Sequence, residues 1–160
     1  MSYSQTVNSP VFDRDRLRSA VVPTGIITTI ATLGFTAWGV FWHGPGVQAD
    51  GPGEFYMVAP IVLVTAVAVF GFLLPRALRR ESAGGTALTL SIIAAVAIVP
   101  AHWAGLPLVL GVAGAMLGYA GKHAPSAAGQ SIAAFVIGLL AALGYLAFYI
   151  GDTLVQAGVL

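Results

Sequence analysis

The chain has 160 residues, of which 58% are apolar and 8% are charged, with a formal net charge of +1 at pH 7. A soluble domain usually carries about 25% charged residues, so these values and a mean hydropathy of +0.89 exclude a water-soluble globular domain. Because the chain has no cysteine, a disulfide framework, a thiolate nucleophile and a thiolate metal site are also excluded.

The first apolar segment follows a polar stretch, residues 1–19, which we expect to be a flexible cytoplasmic tail with a short interfacial helix. The apolar run Ala20 to Trp42 is too long for the roughly 7–15-residue core of a cleavable signal peptide. It is long enough to cross the bilayer. We therefore predict a retained first transmembrane helix, ended by the Gly-Pro-Gly sequence at 44–46.

Four further apolar segments follow along the chain, each bounded by Pro, Gly or charged residues. The predicted helices are 55–74, 86–102, 107–121 and 131–150. Residues 20–150 are thus predicted to form an all-α membrane domain of five transmembrane helices, followed by an external tail at 151–160. Segments 86–121 leave an alternative, because a re-entrant hairpin in a chain with three spans would satisfy the same charge pattern.

The basic residues fall in three clusters, which a five-span count places on one side of the membrane. They are Arg14, Arg16, Arg18, Arg76, Arg79, Arg80 and Lys122. By the positive-inside rule this side is cytoplasmic. We interpret these residues as contacts to anionic lipid headgroups that fix topology, rather than as a nucleic-acid-binding surface. The Arg- and Ala-rich composition suggests a bacterial cytoplasmic membrane.

Threonines recur every four residues along the first helix, at Thr24, Thr28, Thr32 and Thr36. One interpretation is a polar lane for a solute. The other, which we favour, is that each hydroxyl bonds the carbonyl one turn earlier and the ridge packs against a neighbouring helix.

Small residues form similar strips on the last two helices, where they permit close approach of helix backbones. These residues are Gly111, Gly114, Gly118, Gly121, Ala134, Gly138 and Ala142. We expect most of this packing to occur within the chain, with an intermolecular face as the alternative.

Two histidines, His43 and His102, lie at the predicted outer boundary and are the candidates for a metal site, together with Asp50 or Glu54. A hydrated interfacial histidine is the simpler interpretation, and neither residue lies deep enough for a haem ligand pair. We expect no cofactor.

The predicted helices carry no Asp, Glu, Lys or Arg at mid-membrane depth, which argues against an ion-coupled pump. The hypothesis we favour is a non-enzymatic accessory or assembly component of a larger membrane complex, whose partners are the lipid bilayer and other membrane subunits or itself. A small-solute permease or channel working as an oligomer is the alternative. No spacing among the external acidic residues and histidines matches a catalytic motif, so an enzyme is disfavoured.

Overall fold

The computed structural model of the chain describes residues 11–41, 52–79, 83–122 and 127–156. Within these ranges the chain forms five helices joined by turns, without a β-strand. In chain order the helices are α1 (Val11–Phe41), α2 (Pro52–Ala77), α3 (Gly84–Ala97), α4 (Leu106–Gly121) and α5 (Ala128–Gln156). The predicted all-helical bundle is confirmed.

Three of these helices are long and apolar enough to cross a membrane: Arg16–Phe41 of α1, all of α2, and Ala128–Asp152 of α5. Each presents large apolar side chains to its surroundings, such as Ile27 and Leu140, which are 67% and 62% exposed. Continuous apolar surface of this kind requires lipid or another membrane protein around it. The protein is therefore membrane-embedded.

The first helix is longer than predicted, because it begins at Val11 rather than Ala20. The sequence-based boundary marked the point at which the chain becomes apolar. A helix depends on backbone hydrogen bonding rather than on hydropathy, so α1 continues beyond the apolar region. Pro23 therefore lies inside α1 and not in its first turn. Because proline has no N–H, the carbonyl of Ser19 has no helical donor.

The second helix also differs from its predicted bounds, since it continues past Pro75 to Ala77. The turns before the proline form a π-helical segment, Val67–Leu73, and the N–H of Leu74 donates to the carbonyl of Val69. Proline has no N–H, and its ring clashes with the carbonyl four residues earlier. The wider π turns relieve that clash without ending the helix.

The third and fourth helices form a short hairpin. α3 ends at Ala97, whereas the sequence predicts a helix to His102, and residues 98–101 form turns before a 3₁₀ turn, His102–Ala104. Pro100 accounts for the early end, because it cannot donate to the helix and disfavours helical conformation in the residue before it.

Gly105 connects this turn to α4 with a φ of 63°, in the left-handed region that favours glycine. A Cβ atom at this position would also collide with the methyl group of Thr32 on α1. Pro107 occupies the first turn of α4, as predicted. The turn is thus fixed by its backbone conformation and by close packing against α1.

The main core lies at the end of the bundle where the basic residues are, which we call the basic end. Every helix contributes a buried side chain to it: Val21, Leu74, Ala87, Leu117 and Ala134 are each at most 2% exposed. At the opposite end, which holds Glu54 and Asp152 and which we call the acidic end, the rings of Phe41 and Phe55 join α1 to α2 at 5.7 Å.

The contacts of the hairpin define its depth along α5. At its base, a Cβ atom on Gly84 or Gly121 would touch Ser131. At its tip, the Cβ position of Gly105 is 3.6 Å from the hydroxyl of Tyr145. At about 1.5 Å per residue, Ser131 and Tyr145 are about 21 Å apart along α5, against a hydrocarbon core of about 30 Å. The tip therefore lies well short of the acidic end.

Candidate functional site

The threonine ridge of α1 faces the interior of the bundle. Thr28, Thr32 and Thr36 are buried, and Thr24 is half-buried. The Thr32 hydroxyl donates to the Thr28 carbonyl at 2.8 Å, and the Thr36 hydroxyl donates to the Thr32 carbonyl at 3.0 Å. These bonds satisfy the hydroxyls of Thr32 and Thr36 within α1. Since Thr32 also packs against the hairpin tip, solute could follow the ridge only if the hairpin moved.

The small residues singled out in the sequence lie where α4 packs against α3 and α5. A Cβ atom on Gly118 would be 2.5 Å from the backbone nitrogen of Phe135, and one on Gly111 would be 2.7 Å from the carbonyl oxygen of Gly138. Ala134 and Ala142, also on α5, are buried. Gly114 and Gly121 contact the side chains of Ser91 and Ser131. The structure thus brings the whole set together inside one chain.

Ser91 links two helices and was not identified from the sequence. Its hydroxyl is buried and donates to the carbonyl of Ala134 at 2.7 Å, which ties α3 to α5. The available signal is a serine within an apolar helix, because membrane helices use serine hydroxyls to bond across interfaces.

Two further buried hydroxyls were missed by sequence reasoning. Ser131 lies at the base of the hairpin and Tyr145 at its tip, and both are fully buried. Neither hydroxyl has a hydrogen-bond partner among the described residues. A buried hydroxyl without a hydrogen bond destabilises the folded protein by about 1–3 kcal/mol. At these two positions close helix packing therefore outweighs the loss of a hydrogen bond.

The basic residues of the described segments lie at one end of the bundle. Arg18 approaches the carbonyl of Leu78 at 3.5 Å, which joins α1 to the end of α2. The ammonium group of Lys122 lies 3.5 Å from the centre of the Tyr119 ring, a cation–π contact. Of the predicted headgroup contacts, Arg16, Arg76 and Arg79 are exposed, whereas Arg80 and the side chain of Arg14 lie outside the described part.

At the acidic end, Tyr149 joins α5 to α1 by donating its hydroxyl to the carbonyl of Phe35. Glu54 and Asp152 both lie within electrostatic range of this hydroxyl. The candidate metal ligand His43 and the side chain of His102 are outside the described part of the chain. The residues that are described contain no group of three or more potential metal ligands.

Grooves open on the surface of the bundle. One, of about 540 Å³, lies between α1 and α5 near the acidic end and is lined by Gly34, Trp38 and Ile150 among other apolar residues. A groove of about 410 Å³ separates α1 from the π segment. On the other side of that segment, a crevice of about 360 Å³ lies between α2 and α3 and includes Arg76.

The described residues therefore offer buried hydroxyls at the hairpin, apolar grooves along the spans and cationic side chains at one end. These features suit the binding of lipids and of other membrane helices. Comparisons with models of protein families, with curated proteins and with solved structures found no match to this chain.

Proposed function

We propose that the protein is a non-enzymatic accessory or assembly component of a larger membrane complex, which receives a transmembrane helix of a partner subunit in the groove between α1 and α5. The groove supports this proposal by its size of about 540 Å³, its apolar lining and its position on the outer surface of the bundle. Aromatic side chains of Phe35, Trp38 and Tyr149 form its walls.

Gly34 is the observation that carries the proposal. Nothing lies within 4 Å of the position of a Cβ atom on this residue, although it lies in the interior of a spanning helix and lines the groove. Small residues in membrane helices permit another backbone to approach closely. Gly111, Gly118 and Gly138 meet the backbone of a neighbouring helix of this chain, whereas the surface at Gly34 is open for a helix from another chain.

Affinity purification in a mild detergent, followed by mass spectrometry, tests this proposal. We expect the parent chain to purify with a second membrane protein, and Gly34→Leu to lose that partner because the leucine fills the groove. Gly129→Leu is the matched control, since this glycine also has open space around it but lies outside the groove. If the parent chain purified alone, or if both variants kept the partner equally, the proposal would be wrong.

For the topology we propose three spans and a re-entrant hairpin, with the basic end in the cytoplasm of a bacterial cell and the protein in its cytoplasmic membrane. The short helices α3 and α4, and the contacts of the hairpin tip with Thr32 and Tyr145, support this arrangement over five full spans. The clustering of basic residues at one end supports the orientation.

A small-solute permease is the second candidate, supported by the hairpin alone. Half-spanning helices are tolerated in a bilayer only where protein or a water-filled cavity shelters them, and this hairpin ends at the methyl group of Thr32 and the hydroxyl of Tyr145. Flux through proteoliposomes tests the idea: Thr28→Val and Thr32→Val should change solute flux without changing expression. Absence of flux in the parent protein would end it.

A further inference from the structure

The crevice between α2 and α3 differs from the two grooves beside α1 because a charged side chain lies in its wall. It is lined by Ala68, Phe72, Leu73, Arg76, Ala77 and Thr86. Its volume of about 360 Å³ is within the range of small-molecule sites, about 300–1,000 Å³.

Three of these residues, Ala68, Phe72 and Arg76, follow at four-residue intervals and form a row along α2 that lines the crevice. The row extends about 12 Å along the helix axis, from the basic end into the span. Phe72 and Leu73 are 57% and 37% exposed, so the crevice is open to the surrounding lipid along its length. It therefore combines a cationic mouth with an apolar channel.

The π-helical segment creates this wall. Ala68, Phe72 and Leu73 all belong to Val67–Leu73, whose wider turns change the direction in which successive side chains leave the helix. At the mouth, the guanidinium group of Arg76 lies 5.8 Å from the centre of the Phe72 ring, a cation–π contact that holds it above the channel.

Among the residues that the structure describes, the charge at the mouth is positive. Glu54 and Asp152, the carboxylates whose side chains are described, lie at the acidic end of the bundle, about 33 Å from Arg76 in the case of Glu54. Thr86, in the first turn of α3, adds a half-buried hydroxyl to the opposite wall. A guanidinium group binds a phosphate by two parallel hydrogen bonds, and a hydroxyl can donate a third.

We propose that this crevice binds one anionic glycerophospholipid molecule, with its phosphate on Arg76 and Thr86 and the upper part of one acyl chain against Ala68, Phe72 and Leu73. Exposed arginines attract anionic lipids in general, but here the charge lies directly above an apolar channel that runs into the bilayer. Such a site retains a lipid through detergent extraction. The inference is independent of the partner subunit proposed above.

Native mass spectrometry of the delipidated protein tests the proposed lipid site, with phosphatidylglycerol and phosphatidylcholine added in turn. We expect one tightly held phosphatidylglycerol, and about tenfold weaker retention in Arg76→Gln, because this variant loses the charge-assisted hydrogen bonds to the phosphate; tenfold corresponds to about 1.4 kcal/mol. Arg79→Gln is the matched control, because this exposed arginine lies outside the crevice, and it should retain the lipid.

Ala68→Leu provides a second variant that fills the channel without changing any charge, and it should also lose the lipid. Circular dichroism establishes that each variant is folded. Equal losses in Arg76→Gln and Arg79→Gln, equal retention of both lipids, or unchanged binding in Ala68→Leu would each overturn the proposal. Displacement of the lipid by millimolar inorganic phosphate would overturn it as well, because the acyl chain would then contribute nothing.

Discussion

Individual glycines set how closely the helices approach, and the effect of replacing them depends on what lies beside each one. Gly118→Ala would bring a methyl group within 2.5 Å of the α5 backbone, which cannot move without separating the helices. We expect a loss of stability of about 1–3 kcal/mol, the usual range for overpacking. Unfolding in a titration with sodium dodecyl sulfate, followed by tryptophan fluorescence, measures it.

Gly34→Ala is the control for this variant, because its added methyl group meets open space. Alanine favours a helix over glycine by about 1 kcal/mol, so this variant should be as stable as the parent chain or slightly more stable. Equal destabilisation by both substitutions would contradict the packing explanation, because the methyl group of Gly34→Ala meets no atom of this chain.

The spacing of glycine and threonine in the sequence predicted which residues lie on a common helix face. The spacing could not distinguish Gly34 from Gly118, because a single sequence does not show whether a glycine is exposed or buried. Nor could it identify Ser131 or Tyr145, whose importance comes from the fully buried position of their hydroxyls. Burial depends on the neighbouring helix, which a local pattern does not contain.

At the scale of the elements, the hairpin tip should lie deeper in the membrane than the end of α5. A nitroxide label on Trp103→Cys should be several ångströms deeper than one on Gly151→Cys, since the tip is level with Tyr145 rather than with the end of the span. The chain has no other cysteine, so each label is unique. Electron paramagnetic resonance with oxygen and a nickel chelate as relaxing agents measures both depths.

Equal depths at these two positions would favour five full spans and contradict the re-entrant arrangement. The indole N–H of Trp103 gives a second indication, because it donates to the carbonyl of Pro100 at 3.1 Å instead of being left for a lipid headgroup. An indole N–H that already has a hydrogen-bond acceptor within its own turn does not require a position at the membrane–water interface.

The ends of helices were the least predictable feature at this scale. The sequence predicts that the second helix ends before Pro75, yet the π segment before this proline allows α2 to continue to Ala77. Conversely, the sequence predicts a helix from Thr86 to His102 with Pro100 bending or ending its last turn, and α3 ends earlier than that, at Ala97. In both cases local backbone geometry around a proline decided the outcome, and hydropathy carries no information about it.

For the whole molecule, the orientation can be tested with two glycines of α5 that lie at opposite ends and have open space around them, Gly129 and Gly151. In intact cells, a membrane-impermeant maleimide should label Gly151→Cys at once and Gly129→Cys only after the membrane is permeabilised. The physical reason is that the basic end resists transfer across the membrane. The reverse pattern would invert the topology and move the proposed lipid site to the outer leaflet.

The sequence by itself determined that the chain lies in a membrane, that it is helical and where the charges interrupt the apolar runs, because these follow from transfer free energies that add up along the chain. The tertiary structure decided how far the hairpin reaches, which glycines touch another backbone and where the grooves open. These features depend on contacts between residues far apart in the chain, such as Gly105 with Thr32, and on the π turns before Pro75.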